Sequence, residues 1–122
     1  MSRIFKVYQI QLDDDLVDLI NKEGFDCHVK ALAYVEAMSK GDPKLGLMHN
    51  CYTHVADVVA DDLNHVFEVG NIGPEDRIIR VADSMSSISV GNIIEDDAGN
   101  KVVVAKFGFD KIVDGKIAKE TV

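Results

Sequence analysis

The stretch Ile88-Ser89-Val90-Gly91-Asn92-Ile93-Ile94, followed by Lys101-Val102-Val103-Val104-Ala105-Lys106-Phe107, decides the architecture. Between these two β-rich arms lies Asp96-Asp97-Ala98-Gly99-Asn100, so residues 88–107 read as a β-hairpin. Gly99 supplies the positive φ that a three-to-five-residue loop needs, and Asp97 can bond the turn backbone. Glycine inside a strand otherwise only weakens it, so Gly91 and Gly108 mark bulges or tight bends. The hairpin has to fold back on the rest of the chain, with apolar side chains from all regions sharing one interior.

Working outward, residues 4–11 alternate with period two and carry apolar groups on both faces, which predicts a central first strand. Asp13, Asp14 and Asp15 precede Leu16, Leu19 and Ile20, the i, i+3, i+4 spacing of one helical face, and Gly24 is its stop. Ala31, Leu32, Val35 and Met38 predict a second helix closed by Gly41-Asp42-Pro43. Residues 44–51 carry no readable pattern. Tyr52 to Ala60 has the Val and Thr content of a second strand. Asp61 and Asp62 cap a short third helix that uses Leu63, Val66 and Phe67 and ends at Gly70. Asn71-Ile72-Gly73-Pro74 is a turn, and Glu75 to Ala82 reads as a third strand, with a helical turn at its start equally compatible with the pattern. The chain therefore reads as one α+β domain over residues 1–122. Its core is a small mixed or antiparallel sheet with about three helices packed on it, a C-terminal β-hairpin, and a frayed tail over 114–122.

Composition sets the outer limits. At 122 residues the chain buries about two-thirds of its unfolded surface, enough for one core. Every apolar run is far short of the roughly 18 residues a membrane span needs, so no membrane contact is expected. The N-terminal residues pass straight into a strand pattern without an apolar signal region, which predicts a cytoplasmic chain. Two cysteines, Cys27 and Cys51, are too few and too irregular for a disulfide framework and fit a reducing compartment. A formal charge of −8 disfavours direct binding to nucleic acid and favours basic protein partners.

Few constellations could carry chemistry. His49, Cys51 and His54 fall within six residues and are ligand types for zinc or copper, but the spacing is non-standard. A fourth ligand would have to come from Cys27, His28 or His65. Cys51 with His54 or His65 offers the types of a nucleophile and base without a known signature, and a buried inert thiol is the plainer reading. Gly70-Asn71-Ile72-Gly73 lacks the third glycine of a dinucleotide fingerprint and the Lys-Ser/Thr of a phosphate loop. The serines at 84, 86, 87 and 89 suit a strand end better than an attack on substrate. Carboxylates at Asp61, Asp62, Asp96 and Asp97 are candidate interaction residues. Together with Asp13 to Asp15, Glu75 and Asp76 they could also imitate DNA phosphates, although each has a local reason at a helix start, after the turn proline or in the hairpin turn. No catalytic residue, metal or cofactor is assigned.

Tyr52-Thr53-His54-Val55-Ala56-Asp57-Val58, then Asp62-Leu63-Asn64-His65-Val66-Phe67-Glu68-Val69-Gly70-Asn71, resembles a segment of small uncharacterised accessory proteins of tailed phages, of the cyanophage type. Ser86 to Ile94, Gly99 and Lys106-Phe107-Gly108-Phe109 resemble the ending of those proteins and of YodL-like domains from mobile elements. Asn92 stands where that pattern usually has Asp. The likeness covers 52–113 well, 5–12 loosely and 25–50 not at all, and it brings no catalytic residues. It implies a phage or mobile-element accessory protein in the host-cell cytoplasm, binding a host or phage protein through exposed strand edges or its acidic surface and modulating host or defence machinery. An unpaired edge leaves a homodimer open. Two other readings stand beside it: a small enzyme or metal/ligand-binding protein using the His49, Cys51 and His54 region, and an acidic DNA-mimic inhibitor.

Overall fold

Alternation from Arg3 to Ile10 builds β1, and its Phe5, Val7 and Gln9 are buried on one face. The computed structural model describes residues 2–113 and 116–118. Among them, β1 lies between β2 (Tyr52–Ala60) and β4 (Ile93–Glu95), as apolar groups on both its faces predict. The sheet order is β3-β2-β1-β4-β5-β6-β7, every neighbouring pair antiparallel, with β3 at Ile78–Arg80, β5 at Lys101–Val104, β6 at Phe109–Val113 and β7 at Lys116–Ala118. Of the tail expected to fray, 116–118 pairs with β6, and 114, 115 and 119–122 lie outside the described residues.

The helices follow their caps. The Asp13 carboxylate accepts from the Leu16 N–H at 2.8 Å and starts α1 (Asp14–Glu23), which ends at Gly24. His28 caps α2 (Val29–Lys40), which closes at Gly41. The unreadable stretch holds a fourth, short helix, α3 (Lys44–Met48). Asp62 accepts from the His65 N–H at 2.8 Å and starts α4 (Leu63–Asn71). Gly70 is not the stop of that helix. A Cβ there would fall 2.2 Å from Ile88 Cδ1, so glycine serves the packing of Ile88, and the helix continues to Asn71. Glu75–Arg77 forms a 3-10 turn, which shortens the predicted third strand to β3.

Two cores result. On one face of the sheet Phe5, Val7, Val58, Ile94 and Val104 pack with Val66 and Val69 of α4 and with Ile88. At the other end, Ile10 and Cys51 meet Ala33 and Ala37 of α2, with Leu45 and Tyr52 alongside. Burying side chains of this size stabilises by about 1.5–3 kcal/mol each.

The C-terminal hairpin exists but is shorter than the arms 88–94 and 101–107. Only 93–95 and 101–104 are strand. The first arm bends because Gly91 has φ +89 and presses against the Ala37 backbone, where a Cβ would lie 2.4 Å from the carbonyl carbon. The second arm stops because residues 105–108 turn into β6, with the Ala105 N–H donating to the Gly108 carbonyl at 3.0 Å and Gly108 at φ +75.

Candidate functional site

A β-bulge sets the site. Val7 pairs with Ala56 and Tyr8 with His54, so Val55 is an extra residue, and Val55 and Ala56 are both buried. The extra residue turns His54 and Asp57, three apart in sequence, to one face, where His54 Nε2 lies 2.7 Å from Asp57 Oδ1. On a regular strand they would face opposite sides.

That face is covered by α3 toward Tyr52 and open toward Ile4 and Lys6. Cross-strand register places Ile79, Asp57, Lys6, Glu95, Lys101 and Ile112 in one row from β3 to β6. The charges alternate in sign along it, the favourable arrangement for cross-strand neighbours. The next row starts with His54 and Tyr8, whose rings lie 5.3 Å apart. The Tyr8 hydroxyl donates to Glu95 Oε1 at 2.7 Å. Burial, followed by that bond and the charge of Glu95, pushes the Tyr8 phenol up to about 12.

Beside Tyr8 lies a half-open cavity of about 180 Å³, walled by Tyr8, Leu47, Tyr52, Ile93 and Lys101. Gly46 and Asn50 complete it. A Cβ on Gly46 would sit 2.6 Å from Tyr52 Cε2, so the missing side chain lets α3 rest directly on that ring. The Tyr52 hydroxyl donates to the Gly91 carbonyl at 2.6 Å, and burial pushes its phenol far above the ordinary range. The Lys101 ammonium stands 5.9 Å from the centre of the Tyr8 ring.

The predicted residues are dispersed. His49 is exposed at the end of α3, Cys51 is buried in the second core, and His54 is on the open face bonded to Asp57. Burial pushes the Cys51 thiol up, which disfavours the thiolate a nucleophile needs. Among the described residues no group of three or more His, Cys, Asp and Glu side chains is arranged to hold a metal. The four carboxylates singled out flank the start of β1. Asp61 accepts from the Ser2 hydroxyl at 3.5 Å on one side, while Asp96 and Asp97 hold the Arg3 guanidinium at 3.2 and 3.0 Å on the other. Asp62 is committed to its helix cap and Asp96 also ties the hairpin turn through the Ala98 and Asn100 N–H groups.

No sequence motif points to Asp57, Tyr8, Asn50 or Lys101. The adjacent apolar pair Val55-Ala56 inside an alternating strand is the one signal that could have raised Asp57. The other three meet only through sheet order. No helix among the described residues is long and apolar enough to cross a membrane. Compared with protein-family models, curated proteins and solved structures, the chain matches none.

Proposed function

We infer that this chain is a phage or mobile-element accessory protein that binds a host or phage protein in the bacterial cytoplasm. The observation that carries the reading is the β3 edge. Among the described residues β3 is the terminal strand of the sheet, and Ile79 and the following Val81 are 54% and 56% exposed. An unpaired edge with apolar side chains is the surface to which a partner strand adds, backbone bonds giving affinity and the side chains selectivity. Asp61, Asp62, Asp96 and Asp97, gathered at one end of the same sheet, favour a basic partner. DNA mimicry draws less support, because the open face alternates in sign and the four carboxylates have local partners.

The tagged chain should retain one specific partner from host lysate at low and moderate salt, and Ile79→Lys should release it while the circular dichroism spectrum stays unchanged. Retention unaffected by Ile79→Lys would remove the edge from the interface, and no retention at either salt would remove the reading. Size-exclusion chromatography of the free chain separates self-pairing through the same edge from a foreign partner.

A further inference from the structure

We propose that the cavity between α3 and the sheet binds a small aromatic carboxylate. The site is separate from the β3 edge and stands on different residues. Its walls are two tyrosine rings, Tyr8 and Tyr52, with Ile93 and Leu47 as aliphatic contacts. A slot with such walls selects a flat apolar ring, since stacked or edge-on aromatic contacts add to the area term. The volume of about 180 Å³ equals roughly six water molecules at ~30 Å³ each, room for a monocyclic acid and too little for a nucleotide.

The polar groups set the charge of the ligand. Among the described residues Lys101 is the one charged side chain on the wall, and no carboxylate lines it. Glu95, its cross-strand neighbour, is engaged by the Tyr8 hydroxyl. Among the described residues neither the Lys101 ammonium nor the Asn50 side-chain amide has a hydrogen-bond or ion-pair partner, whereas the Tyr52 hydroxyl is already spent on Gly91. Asn50, which lines the cavity, is held at φ +52, a conformation asparagine tolerates. One ammonium and one amide N–H₂ suit the two oxygens of a single carboxylate. A phosphate dianion calls for more donors than these. The half-open mouth leaves the ring buried and the carboxylate at the entrance, where Lys101 is exposed.

Benzoate titrated into the isotope-labelled full chain tests this, with benzamide as the uncharged control. The amide signals of Tyr8, Asn50, Tyr52 and Lys101 should shift together and saturate with a Kd below the order of 10 mM, benzamide binding about tenfold more weakly. Lys101→Met keeps the aliphatic stem and should weaken benzoate about tenfold, leaving benzamide unchanged. Asn50→Gly preserves the positive φ and should weaken benzoate severalfold, a second reading that stands even if Lys101→Met misfolds. Absence of saturable shifts at these four residues, or equal affinity for benzoate and benzamide, overturns the proposal. So does benzoate affinity unchanged by both substitutions in folded protein.

Discussion

Val55 carries two duties through one carbonyl, accepting the Val81 N–H at 2.9 Å and the Ala82 N–H at 3.1 Å. As the extra residue of the β2 bulge it also lets His54 and Asp57 share a face. Deleting Val55 would restore a regular strand: Ala56 stays opposite Val7, His54 stays opposite Tyr8, and only the anchored chain beyond β3 loses its acceptor. Deletion should cost about 2–4 kcal/mol from one buried side chain and two backbone bonds. Denaturant melts would measure that loss, and amide exchange at Val81 and Ala82 should accelerate while β1–β2 contacts persist. Exchange at those two amides unchanged from the parent would show that the bulge does not anchor them.

Gly91 and Gly99 share nearly the same φ, +89 and +88, but not the same surroundings. A Cβ at 91 would lie 2.4 Å from the Ala37 backbone, whereas none of the described residues lies within 4 Å of one at 99. Gly99→Ala should therefore cost only the left-handed strain of about 1–2 kcal/mol. Gly91→Ala adds overpacking of a further 1–3 kcal/mol or so by forcing α2 off the sheet. Paired urea melts check the difference, and equal midpoints would mean that α2 yields freely at Ala37.

Where sequence and structure agree, the signal was local. Tyr52–Ala60 was readable to the residue because its composition and its flanks, Cys51 and the Asp61-Asp62 cap, speak to neighbouring positions only. The hairpin arms overshot because Ile88 and Val90 have β propensity but are drawn out of the ladder by long-range packing. Ile88 fills the space over Gly70, and Gly91 closes on Ala37. The site failed to show for the same reason. His49, Cys51 and His54 are close along the chain, yet a helix end, a core position and an open face separate them. Tyr8 and Lys101 come from β1 and β5, and only the order β1-β4-β5 brings them to one wall.

Gln9 behaves as a substitute strand for the segment before β4. Its Nε2 donates to the Ser86 carbonyl at 2.8 Å, its Oε1 accepts from the Ser86 N–H at 3.1 Å, and Nε2 also reaches Asn92 Oδ1 at 3.1 Å. Gln9→Met should cost about 1–3 kcal/mol by stranding these buried groups. Gln9→Glu should be worse near neutral pH, because a buried carboxylate would face two acceptors, the Ser86 carbonyl and Asn92 Oδ1. Burial raises the folded pKa of the introduced acid, so its deficit shrinks as pH falls and is smallest below the ordinary glutamate range, where the protonated form can donate. Melts of the two variants across acidic pH should converge. A constant gap between them would contradict the donor role assigned to Nε2.

Tyr8 gives the alkaline counterpart. Its phenol titrates at about 12 instead of 10.0, with burial the largest cause and the Glu95 bond and charge next. A raised folded pKa means that the fold prefers the neutral phenol. That contribution is complete below pH 10 and is lost as pH rises through about 12. At pH 11 about a tenth of Tyr8 should be phenolate in the folded chain, against about nine-tenths for an ordinary tyrosine. The Tyr8 Cζ chemical shift reads this directly. Glu95→Gln removes the charge and leaves the burial, so the midpoint should fall only part of the way toward 10, and Tyr8→Phe should flatten the alkaline slope of stability. A Cζ midpoint at the ordinary value in the parent would mean that the ring is solvated and the Glu95 contact is not made, and the cavity would then lose one of its two aromatic walls.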